Sequence, residues 1–428
     1  MPTARTWLTL HAWLGLQLGV LLFIICFTGT IAVFSNELDH LAQPLSWAES
    51  RPVQWQNVVN KAQQQLSSAS LSYAEAPEGF RTAVRMHYRT NEGQRRILLQ
   101  DPASGQVLTE GGWLTFQRFL RNFHMMLFNV DVGFYIVLLT VIPLSIILLA
   151  PMLFYRRWWK NLFVIRSNKG PRPFWTDWHR SFGVCSLPVT AIILLTSVWY
   201  LAEHLAYSTD NFIADHPLSV PQISTMWMTD SYDTLLQKSP FPARNIDQIH
   251  FPADASQPVA VTYSRQFWLR ARANVVYLDP GKQVVAQTVM AEQLPLLYYW
   301  LNMADRLHFG NFAGITSKIV WGVSGLALTL CILIGSRLAA LRLSTRGSVP
   351  GKAFFLVQIA LLSFIAAMAW QDIKAMGTDI NGNWIGMFFG YPDVIWFIVF
   401  FCLLSLAGIL WMLLPLIKLK PGRLTHNI

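Results

Sequence analysis

Six stretches of the chain are apolar for about 20 residues, the length a helix needs to cross a bilayer. They are 7–34, inside a first segment 1–34, then 132–155, 179–204, 313–336, 353–371 and 394–416. Two long polar blocks, 35–131 and 205–312, interrupt them, as do the short connections 156–178 and 337–352 and the tail 417–428. The pattern predicts a membrane all-α bundle of about six transmembrane helices, with small α+β domains outside the bilayer.

The polar blocks have strand grammar and look like duplicates. The first runs through Ile97-Leu98-Leu99-Gln100, turns at Asp101-Pro102 and continues through Gly105-Gln106-Val107-Leu108; the second has Val275-Val276-Tyr277-Leu278, then Asp279-Pro280-Gly281 and Val284-Val285. Each is an apolar strand, a turn and a second strand, the local signature of a β-hairpin. Val58, Val59, Ala62 and Leu66 give 57–67 helical spacing in the first block, while a helix in the second is less clear. The unit helix, polar block, helix occurs twice in the same direction, which implies a duplicated four-helix core about a pseudo-two-fold along the membrane normal. Helices five and six lie outside this repeat.

Charge orients the bundle. Loop 156–178 carries Arg156, Arg157, Lys160, Arg166, Lys169 and Arg172 against Asp177 alone, loop 337–352 carries Arg337, Arg342, Arg346 and Lys352 with no acid, and the tail adds Lys418, Lys420 and Arg423. The positive-inside rule places these segments and both termini in the cytoplasm and the polar blocks outside. Over 428 residues, 53% are hydrophobic and only 13% charged, and the net charge of +10 sits beside apolar runs; topology accounts for it, and no nucleic-acid partner is expected. Cys26, Cys185, Cys331 and Cys402 all fall in apolar runs without a C-x-x-C pair, so no disulfide framework, zinc or iron–sulfur site is indicated. The first apolar run lacks a small-residue cleavage site and reads as a retained helix.

The candidate chemistry lies in histidines. His11, His124, His179 and His308 each open one helix of the repeat. Alternating helix direction then puts His11 and His179 near the inner face and His124 and His308 near the outer one. A haem iron held by two imidazoles needs them at one depth on neighbouring helices, and the repeat supplies such a pair at each face. The competing reading is that interfacial histidines anchor helix ends by hydrogen bonds. Arg121, Arg180 and Arg306 stand within three residues of His124, His179 and His308, with Arg118 a turn further back; guanidinium groups suit anionic haem propionates, although helix ends collect arginine for topology as well. His204 lies 25 residues beyond His179, hence at the outer face, where it could replace His124 or His308 as a ligand or serve as a nearby polar group. His40, His87, His216, His250 and His426 fall in polar segments and read as solvated. The chain has no nucleotide-binding, zinc-protease or serine-hydrolase motif. The 18 Trp and 27 Phe fit interface belts and helix packing, with Trp158-Trp159 and Trp175 to Trp178 at the inner belt.

These motifs resemble the PepSY-associated transmembrane proteins. The matching residues are Leu10-His11-Ala12-Trp13-Leu14-Gly15-Leu16, Arg121-Asn122-Phe123-His124, Trp178-His179-Arg180-Ser181-Phe182-Gly183 and Leu307-His308-Phe309-Gly310, with the Asp101-Pro102 and Asp279-Pro280 hairpins similar to PepSY modules. The resemblance covers roughly 1–340; it departs at Ala12, where the family has arginine, and in the second polar block, a poor PepSY match. It implies a multi-pass protein of the bacterial inner membrane with two b-type haems, the inner one on His11 and His179 and the outer one on His124 and His308. Such a protein would be an oxidoreductase, taking electrons from a flavoprotein or quinol and reducing a periplasmic acceptor such as a ferric siderophore. Two readings without haem stand beside it: a membrane-anchored PepSY regulator of a periplasmic protease, and a transporter.

Overall fold

In a computed structural model of the chain, residues 4–42, 48–66, 69–79, 81–113, 115–154, 163–207, 232–252, 257–345, 352–377 and 393–417 are described. Arg156, Arg157, Trp158, Trp159, Lys160, Arg346, Lys418, Lys420 and Arg423, with His216 and His426, lie outside them.

The first repeat runs α1 (Ala4–Gln17), α2 (Gly19–Ala32), α3 (Ser35–Leu41), α4 (Trp55–Gln65), β1 (Ser70–Glu75), β2 (Val84–Arg89), β3 (Arg95–Gln100), β4 (Val107–Gly112), α5 (Phe116–Met126), α6 (Gly133–Leu139) and α7 (Val141–Phe154). The second runs α8 (Pro171–Tyr207), α9 (Tyr232–Gln237), β5 (Ile246–His250), β6 (Val259–Tyr263), β7 (Val275–Asp279), β8 (Val284–Val289), α10 (Leu296–Phe309) and α11 (Gly314–Thr345), and α12 (Lys352–Gly377) and α13 (Asp393–Ile417) follow. Among the described residues five helical spans are long and apolar enough to cross a membrane, with α6 and α7 together making one of them, and six if α1 and α2 form one span. The bundle is therefore a multi-pass membrane unit with a separate sheet.

The first span is not the straight helix that its apolar run predicts. α1 and α2 meet at 72° around Leu18. Breaking a helix in lipid frees carbonyls that only protein can satisfy. Here Ser336 Oγ donates to Gly15 O at 2.8 Å and Gln358 Nε2 to Gln17 O at 3.3 Å. Gly19 completes the joint, because a Cβ there would lie 2.4 Å from Ser336 Oγ.

Both predicted hairpins form, β3 with β4 and β7 with β8. Asp101 Oδ1 accepts from the amides of Ala103 and Ser104 at 3.1 and 2.8 Å, which fixes the first turn. Gly105 then adopts φ +70°, where a Cβ would sit 2.4 Å from Asn57 O of α4. The two polar blocks, expected as two small domains, share a single antiparallel sheet of order β4-β3-β2-β1-β5-β6-β7-β8. The seam is β1 against β5, with Tyr73 opposite His250, Ala74 opposite Ile249 and Glu75 opposite Gln248. Pairing two edges removes two open ladders at once, which is why neither block stops at four strands.

Alternation along the strands sorts the two faces. Ala74, Val84, Met86, Tyr88 and Leu98 pack with Trp55, Val58 and Val59 of α4 and Leu235 of α9. On the opposite face Ile97 and Leu99 join Phe116, Phe119 and Phe123 of α5, Phe27 of α2 and Phe401 of α13. This second cluster seats the sheet on the helices. Buried Asp39 also ties α3 to the start of α5, accepting from the amides of Phe116 and Gln117 at 2.7 and 3.2 Å.

Candidate functional site: two cross-repeat histidine pairs

The four histidines meet in two pairs, each taking one member from each repeat. His11 of α1 faces His179 of α8, with ring centroids 6.2 Å apart and ring planes at 62°. His124 of α5 faces His308 of α10 at 6.3 Å and 40°. The second pair lies on the sheet side of the bundle, the first on the far side. From His179 to Thr196, which touches His308, α8 advances about 25 Å at 1.5 Å per residue, most of a bilayer core.

Each imidazole is aimed by a partner on Nδ1. His11 Nδ1–H donates to Ile147 O of α7 at 2.8 Å, and His179 Nδ1–H to Cys331 O of α11 at 2.9 Å. His124 Nδ1–H donates to Ile25 O at 2.9 Å, with Thr28 Oγ1 at 3.3 Å. His308 Nδ1 meets Thr196 Oγ1 at 2.9 Å, and that hydroxyl sends its own hydrogen back to the carbonyls of Ile192 and Ile193 at 3.0 and 2.9 Å, leaving its oxygen to accept from the ring. A proton held on Nδ1 leaves the Nε2 lone pair available, the arrangement that metal-bound histidines use.

These contacts repeat in register. Thr28 follows His11 by 17 residues, as Thr196 follows His179, and Ile147 follows His124 by 23, as Cys331 follows His308. Each repeat thus holds its own histidines, and the pairs form across the axis between repeats. Two glycines admit the rings: a Cβ on Gly29 would stand 2.7 Å from His124 Cε1, and one on Gly335 2.6 Å from His179 Cε1. One turn after His11, a Cβ on Gly15 would meet nothing within 4 Å.

The spacing tests what the pairs can hold. With a metal–imidazole bond of about 2 Å and a ring centroid roughly 1.1 Å behind its nitrogen, two imidazoles trans on one metal have centroids about 6.2 Å apart. The observed 6.2 and 6.3 Å fit that arrangement at both sites. Among the described residues no group of three or more His, Cys, Asp or Glu could hold a metal.

Several sequence expectations need correction. His124 and His308 do not open spanning helices; they sit in the last turns of α5 and α10, just before left-handed turns at Leu127 (φ 46°) and Gly310 (φ 65°). His204 packs against Phe134 and Tyr135, at 4.9 and 5.1 Å between rings, rather than in the His124–His308 pair. Arg180 is engaged by Asp177 Oδ1 at 3.2 Å and Val164 O at 3.0 Å, and Arg306 by the carbonyls of Leu269 and Asn311 at 3.0 and 3.2 Å. Arg121 lines a cavity between the sheet and α5. His87, read as solvated, is only 5% exposed.

Sequence reasoning also missed participants. Thr28 and Thr196 were visible only through the repeat register, and Gly29 and Gly335 not even there, since their counterparts in it are Ser197 and Pro151. The Tyr200 ring lies 5.1 Å from that of His308, and its hydroxyl donates to Asp305 Oδ1 at 2.7 Å. Asp305 in turn holds Arg270 at 2.9 Å and Arg272 at 3.4 Å. A polar cluster therefore borders the sheet-side pair.

No curated protein matches the chain by sequence. The family model of the PepSY-associated TM region matches residues 8–342, which takes in both repeats, all four histidines and the sheet and leaves out α12 and α13. The chain therefore belongs to the PepSY-associated transmembrane family.

Proposed function

We propose that this protein carries electrons across the bacterial inner membrane on two b-type haems and reduces a periplasmic acceptor, with a ferric siderophore as the acceptor class. The observation that carries the reading is the pair of 6.2 and 6.3 Å imidazole spacings, each ring proton-anchored at Nδ1. His11 and His179 would hold the cytoplasmic haem, His124 and His308 the periplasmic one. When bound, the haems supply one-electron redox centres near the two faces.

The chain's own residues account for the rest. Carbonyls and threonines fix each imidazole tautomer, which keeps Nε2 basic and the ring plane set. The surrounding apolar helices exclude water from the route. At the outer face the acceptor meets the sheet and the ends of α5 and α10, so no acid–base pair is required. One electron converts a ferric chelate to its ferrous form, and the electron enters at the cytoplasmic face from a flavoprotein or quinol.

The test is haem content. Detergent-purified protein made with ample haem should hold two b-type haems per chain, and His11→Ala and His308→Ala should each remove one. A colourless, well-folded protein would refute the proposal and leave a regulator or transporter role.

A further inference from the structure

Between the sheet and α5 lies a cavity of about 200 Å³ whose charged lining does not balance. Arg85, Arg118 and Arg121 face it with a single carboxylate, Glu75. That carboxylate is already shared, 3.5 Å from Arg85 and 3.8 Å from Arg81. Arg118 lies over the Trp113 ring at 3.7 Å, and among the described residues neither it nor Arg121 has an ion-pair partner. Burial pulls the Arg118 guanidinium down to about 10, and it stays charged at neutral pH. Arg118 is half-buried and Arg121 exposed at the rim, so the lining carries a surplus of positive charge around one carboxylate, which suits an anion.

A second observation points into the same space. His87 alternates with Arg85 on β2, so both face the cavity. It is 5% exposed, and neither ring nitrogen has a hydrogen-bond partner among the described residues; Nε2 stands 3.6 Å from Glu75 Oε1. Desolvation holds its pKa below the ordinary histidine value, so the ring is neutral and keeps one N–H to donate.

We propose that this cavity is a binding site for a small polycarboxylate, or for one carboxylate-bearing arm of a larger ligand. Arg118 and Arg121 would supply the positive charge and His87 a hydrogen bond. Size sets the limit: about 200 Å³ corresponds to roughly seven waters at about 30 Å³ each, below the roughly 300 Å³ where sites for drug-sized ligands begin. Arg121 precedes His124 by three residues on α5, so the site opens about one helical turn from the sheet-side pair. As an acceptor subsite it rests on the proposed reductase reading; as a carboxylate site it does not. The competing source of carboxylate is a propionate of the haem itself, and the experiment separates the two.

The probe is citrate, titrated calorimetrically into the full-length, haem-loaded protein in detergent and into the His124→Ala/His308→Ala protein. Saturable one-to-one binding to the loaded protein is expected, with tenfold or greater loss of affinity in Arg118→Gln and Arg121→Gln, since each removes a charge-assisted contact. His87→Gln provides a second variant if an arginine variant does not fold. Binding only to the haem-free variant would assign the cavity to propionates and overturn the proposal, as would no binding to either protein or equal binding to all variants. If the protein proves colourless, citrate binding is still read directly, so failure of the reductase reading and failure of this site are distinct results.

Discussion

Gly335→Ala places one methyl group where the His179 ring now rests. The new Cβ would lie 2.6 Å from Cε1 and 3.0 Å from Nδ1, against 3.4 Å for the lower edge of ordinary contact. The ring must therefore recede by about 0.8 Å from α11. Cys331, whose carbonyl accepts from His179 Nδ1 at 2.9 Å, lies on that same helix one turn earlier, so the shift carries this bond past about 3.5 Å, where it ceases to hold. Overpacking of this kind costs about 1–3 kcal/mol in a packed core, more than the roughly 1 kcal/mol of the hydrogen bond being strained, so the bond gives way first. A metal–nitrogen bond near 2 Å does not survive such a displacement. The expected outcome is a protein with half the haem of the parent by optical spectrum, the far-side centre gone and the sheet-side centre intact. Gly29→Ala should do the reverse, through His124. If Gly335→Ala retains both haems with an unchanged spectrum, ring position is not set by this contact and the reasoning fails.

The two threonines should differ in consequence. Thr196→Val takes away the Nδ1 partner of His308, whereas after Thr28→Val His124 still has Ile25 O at 2.9 Å; loss of such a partner typically costs about 10–100-fold in metal affinity. Haem retention under competing apomyoglobin should fall much further in Thr196→Val than in Thr28→Val, and equal loss would contradict the assignment. On β5, burial and then the nearby Glu78 push the Asp247 carboxyl up to about 6. Its ionised form is the disfavoured one, so the penalty is absent below about pH 4, grows as pH rises through about 6 and is complete above it. Asp247→Asn should raise the thermal midpoint at pH 8, by about 1–2 kcal/mol of stability for a part-exposed group, and give no gain at pH 4; a gain of the same size at both pH values would exclude ionisation as the cause.

Local signals were readable wherever one short segment decides the outcome. The Asp101 and Asp279 hairpins, the apolar runs and the four histidines all belong to that class. The bend at Leu18 was hidden because the apolar run is unbroken and the groups that stabilise the break, Ser336 and Gln358, come from helices more than 300 positions away. The union of the two blocks in one sheet was equally silent, since strand composition does not say which edge will find which. The partners of Arg180 and Arg306 could not be read because they include main-chain carbonyls, which have no residue signature. His87 had a signal that went unread: in Val84-Arg85-Met86-His87-Tyr88-Arg89 apolar and polar positions alternate, which already sets Arg85 and His87 together on the face away from Met86 and Tyr88.

The crossing of histidine pairs between repeats also sets an order of assembly. A chain released through α7 offers two lone imidazoles and an unpaired β1 edge. When α8 enters, His11 gains its partner, but the carbonyl and the glycine that seat His179 belong to α11. The sheet-side pair waits for α10. The groups that seat it lie on α2, α5, α8 and α10, so it is complete one helix before the far-side pair, which needs α11, and a chain that stalls between the two has one finished pair and one unfinished.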